Sequence, residues 1–369
     1  MSYEIDFIGV SKDKAAKDAD AIAFRWKTEE GAYKIGVFDG GLQAHGQALT
    51  AHLNQYYFND PEGKQPIGQK IIDCLFVSHS DQDHTLGLQE ILEKFTVKTI
   101  YMNRPWKYVS ELYERVIDDR VTLDSLTARL HEEYQYISKL EEIALSKGIA
   151  IKPAFQGTIV ENILTVLSPS KEFYLELLAE SPKTPKSAVG AFTALAHQFS
   201  NQIKTVLESW TNELLRNDVE TSPENETSLV VLGQFEFEKF LLMGDAGIRA
   251  LTRAIDYADS QGISLAKEVR FLQVPHHGGR HNVGPNLLNR LLGPILPENT
   301  TFTKTAYVSA AEGSDHPRQM VVNAFTRRGV NVYITRGHII WHHNGTPVRD
   351  GWSSISPVGF NKTVEGWEN

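Results

Sequence analysis

The chain has 369 residues, 41% of them hydrophobic, and 37 basic against 46 acidic side chains give a formal net charge of −9. That acidity excludes the broad phosphate-gripping surface of a non-specific DNA binder, and ordinary glycine and proline usage excludes collagen-like or wholly disordered chains. The single cysteine, Cys74, excludes an internal disulfide framework.

No apolar stretch reaches the roughly eighteen residues of a membrane span. The start, MSYEIDFIGVSKDKAAKDADA, lacks the basic opening and apolar core of a signal peptide. A cytoplasmic, reducing setting is expected. In chain order, YEIDFIGV, AIAFRW and YKIGVF read as strands, with DGG at 39–41 as a sharp turn. HGQALTAHLNQYY reads as a helix, IIDCLFV as a strand buried on both faces, HTLGLQEILEKF as a helix, and VKTIYM as a short strand. Two helical blocks follow. Leu123, Leu126, Leu130, Tyr134, Ile137 and Leu140 step by three and four up to Gly148, and Phe192, Leu195, Phe199, Ile203, Val206, Trp210 and Leu214 do so over 188–216. Between the blocks lie the strands IAIKPAF and ILTVLSP and the linker SPKTPKS. NDVETSPENET reads as a polar loop. Then come SLVVLG, FEFEKFLLM, the turn GDAG, a helix from about 247, VRFLQV, HHGG, a helix, TAYVSA, a helix from Pro317, and NVYITRG with HIIWHH.

The chemistry concentrates where strands end. In LFVSHSDQDHTLGL, His79, Asp81, Asp83 and His84 occupy the turn between a buried strand and a helix. Alternate residues leaving a strand point the same way, so His79 and Asp81 can share one ion while Asp83 and His84 reach a second. Imidazole and carboxylate are standard ligands for zinc, manganese or iron. The bland alternative is a solvated loop capping the helix. FLLMGDAG puts Asp245, FLQVPHHGG puts His276 and His277, and FDGG puts Asp39 directly after further strands. A carboxylate in an apolar setting needs a cation or a donor. Asp39 is expected to orient a ligand rather than bind the ion.

The ordered set FDGG, SHSDQDH, GDAG and VPHHGG resembles the metallo-β-lactamase superfamily, and within it the hydrolase domain of ComEC-type competence proteins. That branch has an aspartate where Asp81 stands, asparagine and serine as at Asn225 and Ser228, and a Gly-His-Pro-like element as in YVSAAEGSDHP with His316. The resemblance covers about residues 3–345 apart from the helical blocks. Two departures stand out. The usual GQGD after the first strand is replaced by SKDKAAKDAD, with only Asp20 aligned. The third-motif histidine has no counterpart, since His131 and His197 lie inside helical patterns.

The resemblance implies one α/β domain, an αββα four-layer sandwich, with helical insertions at about 107–147 and 171–216. It implies one or two divalent ions held by His79, Asp81, Asp83, His84, Asp245 and one histidine of the HHG pair, His277 in preference to His276, with Asp245 bridging. The carboxylate-rich set makes manganese a candidate beside zinc. Asp83 would also orient the attacking water. His316 would protonate the leaving group, and Arg280 and Ser309 would contact substrate, with Asn225 and Ser228 supporting the ligands. The expected activity is that of a phosphodiesterase or nuclease on DNA or RNA. A hydrolase of small phosphodiesters or lactones is the alternative, and a non-catalytic partner-binding subunit a third reading. The aromatics Trp106, Tyr108, Tyr113, Tyr134 and Tyr136 either extend the core, wall the cleft or dock a protein partner.

Overall fold

A computed structural model describes residues 2–59, 70–115, 121–184, 205–235 and 238–367. Two seven-stranded sheets lie face to face. The first runs Ile340–Asn344, Tyr3–Phe7, Ala21–Lys27, Tyr33–Gly40, Cys74–Phe76, Thr99–Tyr101, Ala150–Lys152. The second runs Val330–Ile334, Lys304–Val308, Val269–Gln273, Lys239–Leu242, Val230–Gln234, Leu164–Ser168, Ile159–Val160. In each, one half is antiparallel and the other parallel.

The two-residue period of a strand explains the layering. Tyr3, Ile5 and Phe7 point between the sheets, where they join Phe24, Phe38, Phe76, Phe240 and Phe271 in an aromatic core. On the outer face of the first sheet, Leu49, Leu88, Ile91, Leu126 and Leu140 bring helices down onto Ile35, Val37 and Leu75. On the outer face of the second, Leu251, Leu288 and Phe325 do the same over Leu241, Leu272 and Ala306. The result is the expected αββα sandwich. Glu4 and Asp6 also face outward but are buried. Arg349 donates to both oxygens of Asp6 at 2.6 and 2.8 Å, and the Tyr57 hydroxyl donates at 2.7 Å. Burial alone would raise the Asp6 carboxyl, yet His52 and Arg349 hold it well below the usual range.

Several sequence expectations change. The first helical block breaks at Tyr134, whose ψ of 41° separates Leu123–Glu133 from Gln135–Ser146. The predicted helix over 188–216 lies largely outside the described residues, and from residue 205 it gives way to the strand Thr205–Leu207, paired with Thr363–Glu365. The polar loop 217–227 contains the short helix Pro223–Glu226 with Glu226 buried. That carboxylate accepts the backbone N–H groups of Arg249 and Ala250, which the helix Ile248–Ser260 cannot satisfy internally. Among the described residues, no helix is long and apolar enough to cross a membrane.

Candidate metal centre

The parallel strands of both sheets end at one rim of the sandwich, and their ends carry the polar clusters. The turn after Cys74–Phe76 delivers His79 to His84, with the short helix Gln82–Thr85 starting at Asp81. Asp245 follows Lys239–Leu242, and His276 and His277 follow Val269–Gln273. Asp39 closes Tyr33–Gly40. Three of these residues take left-handed backbone angles that side chains rarely adopt: Asp39 at φ 58°, His276 at φ 49° and His277 at φ 53°. Such conformations persist where the surroundings over-determine them.

Ligand atoms of Asp20, His84, Asp245 and His277 all lie within 4.8 Å of one another, and all four residues are buried. His84 Nε2 stands 3.2 Å from Asp245 Oδ1, and His277 Nε2 stands 3.3 Å from Asp83 Oδ2. His79 Nε2 stands 3.7 Å from Asp81 Oδ2 and 3.9 Å from Asp245 Oδ2. The structure therefore brings His84, Asp245 and His277 together with Asp20, and sets His79, Asp81, Asp83 and His276 along the edge of that cluster.

The imidazoles are aimed from behind. Asp39 Oδ2 lies 2.8 Å from His84 Nδ1. Asp39 also accepts the Ser78 backbone N–H at 2.7 Å. The Ser309 carbonyl lies 2.8 Å from His277 Nδ1. Both contacts leave Nε2 directed into the cluster. His276 differs: the Asn225 amide donates to its Nδ1 at 2.9 Å, and its side chain is 32% exposed against 4% for His277. The Ser228 hydroxyl accepts the Asp245 backbone N–H at 3.1 Å.

The cluster fits a cation. Both oxygens of Asp20, Nε2 of His79 and His84, and Oδ1 of Asp245 are buried without a hydrogen-bond partner. Leaving so many polar atoms unpaired is costly unless an ion satisfies them. The charges say the same. Burial pushes the Asp20 carboxyl up to about 6 against the pull of His277 and His84. Burial would lower His277, but Asp83, Asp20 and Asp245 push it up to about 10. Without a cation, the surrounding carboxylates hold protons on His84 and His277; a divalent ion would take their place.

Asp20 is the ligand candidate that the sequence reading did not assign. Its neighbour Asp18 accepts from the Ala311 backbone N–H at 2.7 Å and the Ser314 hydroxyl at 2.8 Å, and lies 2.9 Å from His316 Nδ1. The signal was Asp-x-Asp directly before a strand, which puts both carboxylates on one side. Buried His45 was also missed; burial, with His277 nearby, pushes it down to about 4 against the pull of Asp83 and Asp18.

Two expected substrate contacts take other roles. Arg280 donates to the Gly366 carbonyl at 2.5 Å and lies over the Trp367 ring, so it ties down the C-terminal segment. Ser309 is 2% exposed and offers its carbonyl to His277. His131 stacks on Trp106 at 4.0 Å, lies 2.9 Å from the Ser138 hydroxyl and is not part of the cluster, and His197 lies outside the described residues.

No protein-family model matches the sequence, and no curated protein does either. Solved structures give likenesses in the course of the chain. Tm1679, a metal-dependent hydrolase of the beta-lactamase superfamily, matches at 10% identity and TM-score 0.40, over 92% of this chain and 98% of that one. Zn(2+)-bound PqqB from Methylobacterium extorquens matches at 10% and 0.37, over 91% and 99%. A long form RNase Z from yeast matches at 10% and 0.38, over 92% and 41%. Fold and site together define an αββα sandwich with a buried aspartate–histidine cluster, able to hold a metal ion, at one rim.

Proposed function

We propose that the chain is a metal-dependent hydrolase of the metallo-β-lactamase kind that cleaves a phosphodiester of DNA or RNA, as the ComEC-type resemblance of its motifs suggests. The observation that carries this reading is the set of buried ligand atoms on Asp20, His79, His84 and Asp245 that face one another without a hydrogen bond. A purely partner-binding subunit has no use for them.

In this reading His84, Asp245, His277 and Asp20 hold one ion, and His79, Asp81 and Asp245 flank a second position. Zinc and manganese both suit the donor set. A bound divalent ion supplies a water of lowered pKa and polarises the phosphoryl oxygens. Asp83, with its side chain 33% exposed beside His277, orients the attacking water. His316 gives a proton to the leaving oxygen, and Asp18 holds its Nδ1 so that Nε2 faces outward. His316 sits close to the centre, with its ring 6.4 Å from that of His276.

The acidic net charge favours a second substrate class, small phosphodiesters or lactones. Metal content, followed by assays with Mn2+, Zn2+ or chelator on single-stranded DNA, duplex DNA, RNA, bis(p-nitrophenyl) phosphate and a lactone, separates the two. Asp245→Ala is the control. Turnover of the small substrates alone would remove the nucleic-acid reading. Metal retention with no turnover of any substrate would remove the hydrolase.

A further inference from the structure

The helices added to the sandwich place a cation at the metal centre. The helix Lys171–Glu180 ends at Ser181, whose Oγ accepts the backbone N–H of Lys183 at 3.0 Å. That turn brings Lys183 Nζ to 3.6 Å from Asp81 Oδ1 and over the Tyr134 ring, 5.0 Å from its centroid. Tyr134 is the buried joint between the two helices of the first added block, and its hydroxyl donates to Ser181 Oγ at 3.3 Å. Both added regions therefore fix one ammonium group. Asp81 turns its other oxygen, Oδ2, toward His79. Lys183 and Asp81 keep 28% and 37% of their side chains exposed, so the pair opens to solvent. Among the described residues, Lys183 is the only lysine or arginine in ion-pair contact with a carboxylate of the centre.

Charge balance gives that position a use. Asp20, Asp81, Asp83 and Asp245, with Asp39 behind His84, bring five carboxylates to the centre, more negative charge than two divalent ions neutralise. The carboxylates and ions together thus offer an anionic substrate no net attraction. We propose that Lys183 is the anion-recognising group of this centre and binds a phosphoryl oxygen of the substrate; the proposal rests on the metal-dependent reading above. An ammonium on a flexible stem serves as a point charge for phosphate, and the Tyr134 face limits its wandering. The competing account is that Lys183 merely balances Asp81.

The test uses the full chain reconstituted with Mn2+ and inorganic phosphate as probe. Phosphate affinity is read from paramagnetic broadening of its 31P resonance, and Mn2+ affinity is measured separately. Lys183→Ala should weaken phosphate binding about tenfold or more, Lys183→Arg should stay close to wild type, and both should keep their Mn2+ affinity. The proposal is overturned if Lys183→Ala binds phosphate like wild type, or if its loss is matched by lost Mn2+. Lys183-dependent phosphate binding without ester turnover would sink the hydrolase reading and leave the anion site standing. Turnover with unchanged phosphate affinity in Lys183→Ala would do the reverse. A chain that retains neither Mn2+ nor Zn2+ overturns both.

Discussion

Nδ1 of His84 lies 2.8 Å from Oδ2 of Asp39, and the opposite nitrogen of that imidazole faces Asp245 at 3.2 Å. The carboxylate fixes both the tautomer and the aim of the ring. Asp39→Ala should therefore lower metal affinity about 10- to 100-fold. Competition with a chelator of known affinity measures this, and an unchanged value would mean the contact is incidental.

His316 and Asp18 should act as a unit. His316→Gln should lower kcat by about 10²–10⁴ without loss of metal, and Asp18→Asn should lower it in the same direction. Steady-state rates beside metal content check this. Equal loss of metal and rate would assign the pair a structural role.

The metal-free protein should lose stability as pH rises. His277 is raised to about 10 in the fold. A raised imidazole contributes stability that is full below its unfolded value of about 6.5 and is lost as pH climbs through the folded value. Melting temperature of chelator-treated protein should fall between about pH 6.5 and 10, while metal-loaded protein should show a smaller fall. Parallel curves would count against an ion at His277.

Arg349→Met should cost about 3–5 kcal/mol, because it takes the guanidinium from two buried carboxylates, leaving Asp6 with only His52 and the Tyr57 hydroxyl and weakening the pairing of Glu4. Denaturant unfolding measures the loss. Asp6→Asn added to Arg349→Met should recover part of it.

Gly87→Ala should displace the turn that carries His79 to His84. A Cβ there would meet the Gly40 carbonyl oxygen at 2.0 Å, a backbone atom that cannot move aside cheaply. Gly87 N–H also donates to the Gly41 carbonyl at 2.7 Å. The readouts are melting temperature and metal content, both reduced.

Much of this was written in local pattern. The apolar runs marked the strands, and polar clusters at their ends marked Asp39, His79 to His84, Asp245 and the histidine pair. What stayed hidden depends on contacts distant in sequence. Arg280 sits two residues from the HHG turn's glycine, yet its guanidinium turns to Gly366, 86 residues on. Lys183 reads as a linker residue until Tyr134 and Asp81 are brought beside it. Adjacent in sequence, His276 and His277 are separated by their surroundings: Asn225 holds the more exposed His276, and the Ser309 carbonyl holds the buried His277. Tyr134 interrupts a helical period that gave no sign of a break, because the interruption serves the packing of two helices rather than local propensity.

Asp20 and His84 come from the first sheet, Asp245 and His277 from the second. An ion seated among them would rivet the halves of the sandwich together. Loading should then slow proteolysis in both halves alike, and a chain deprived of metal should yield first at that seam.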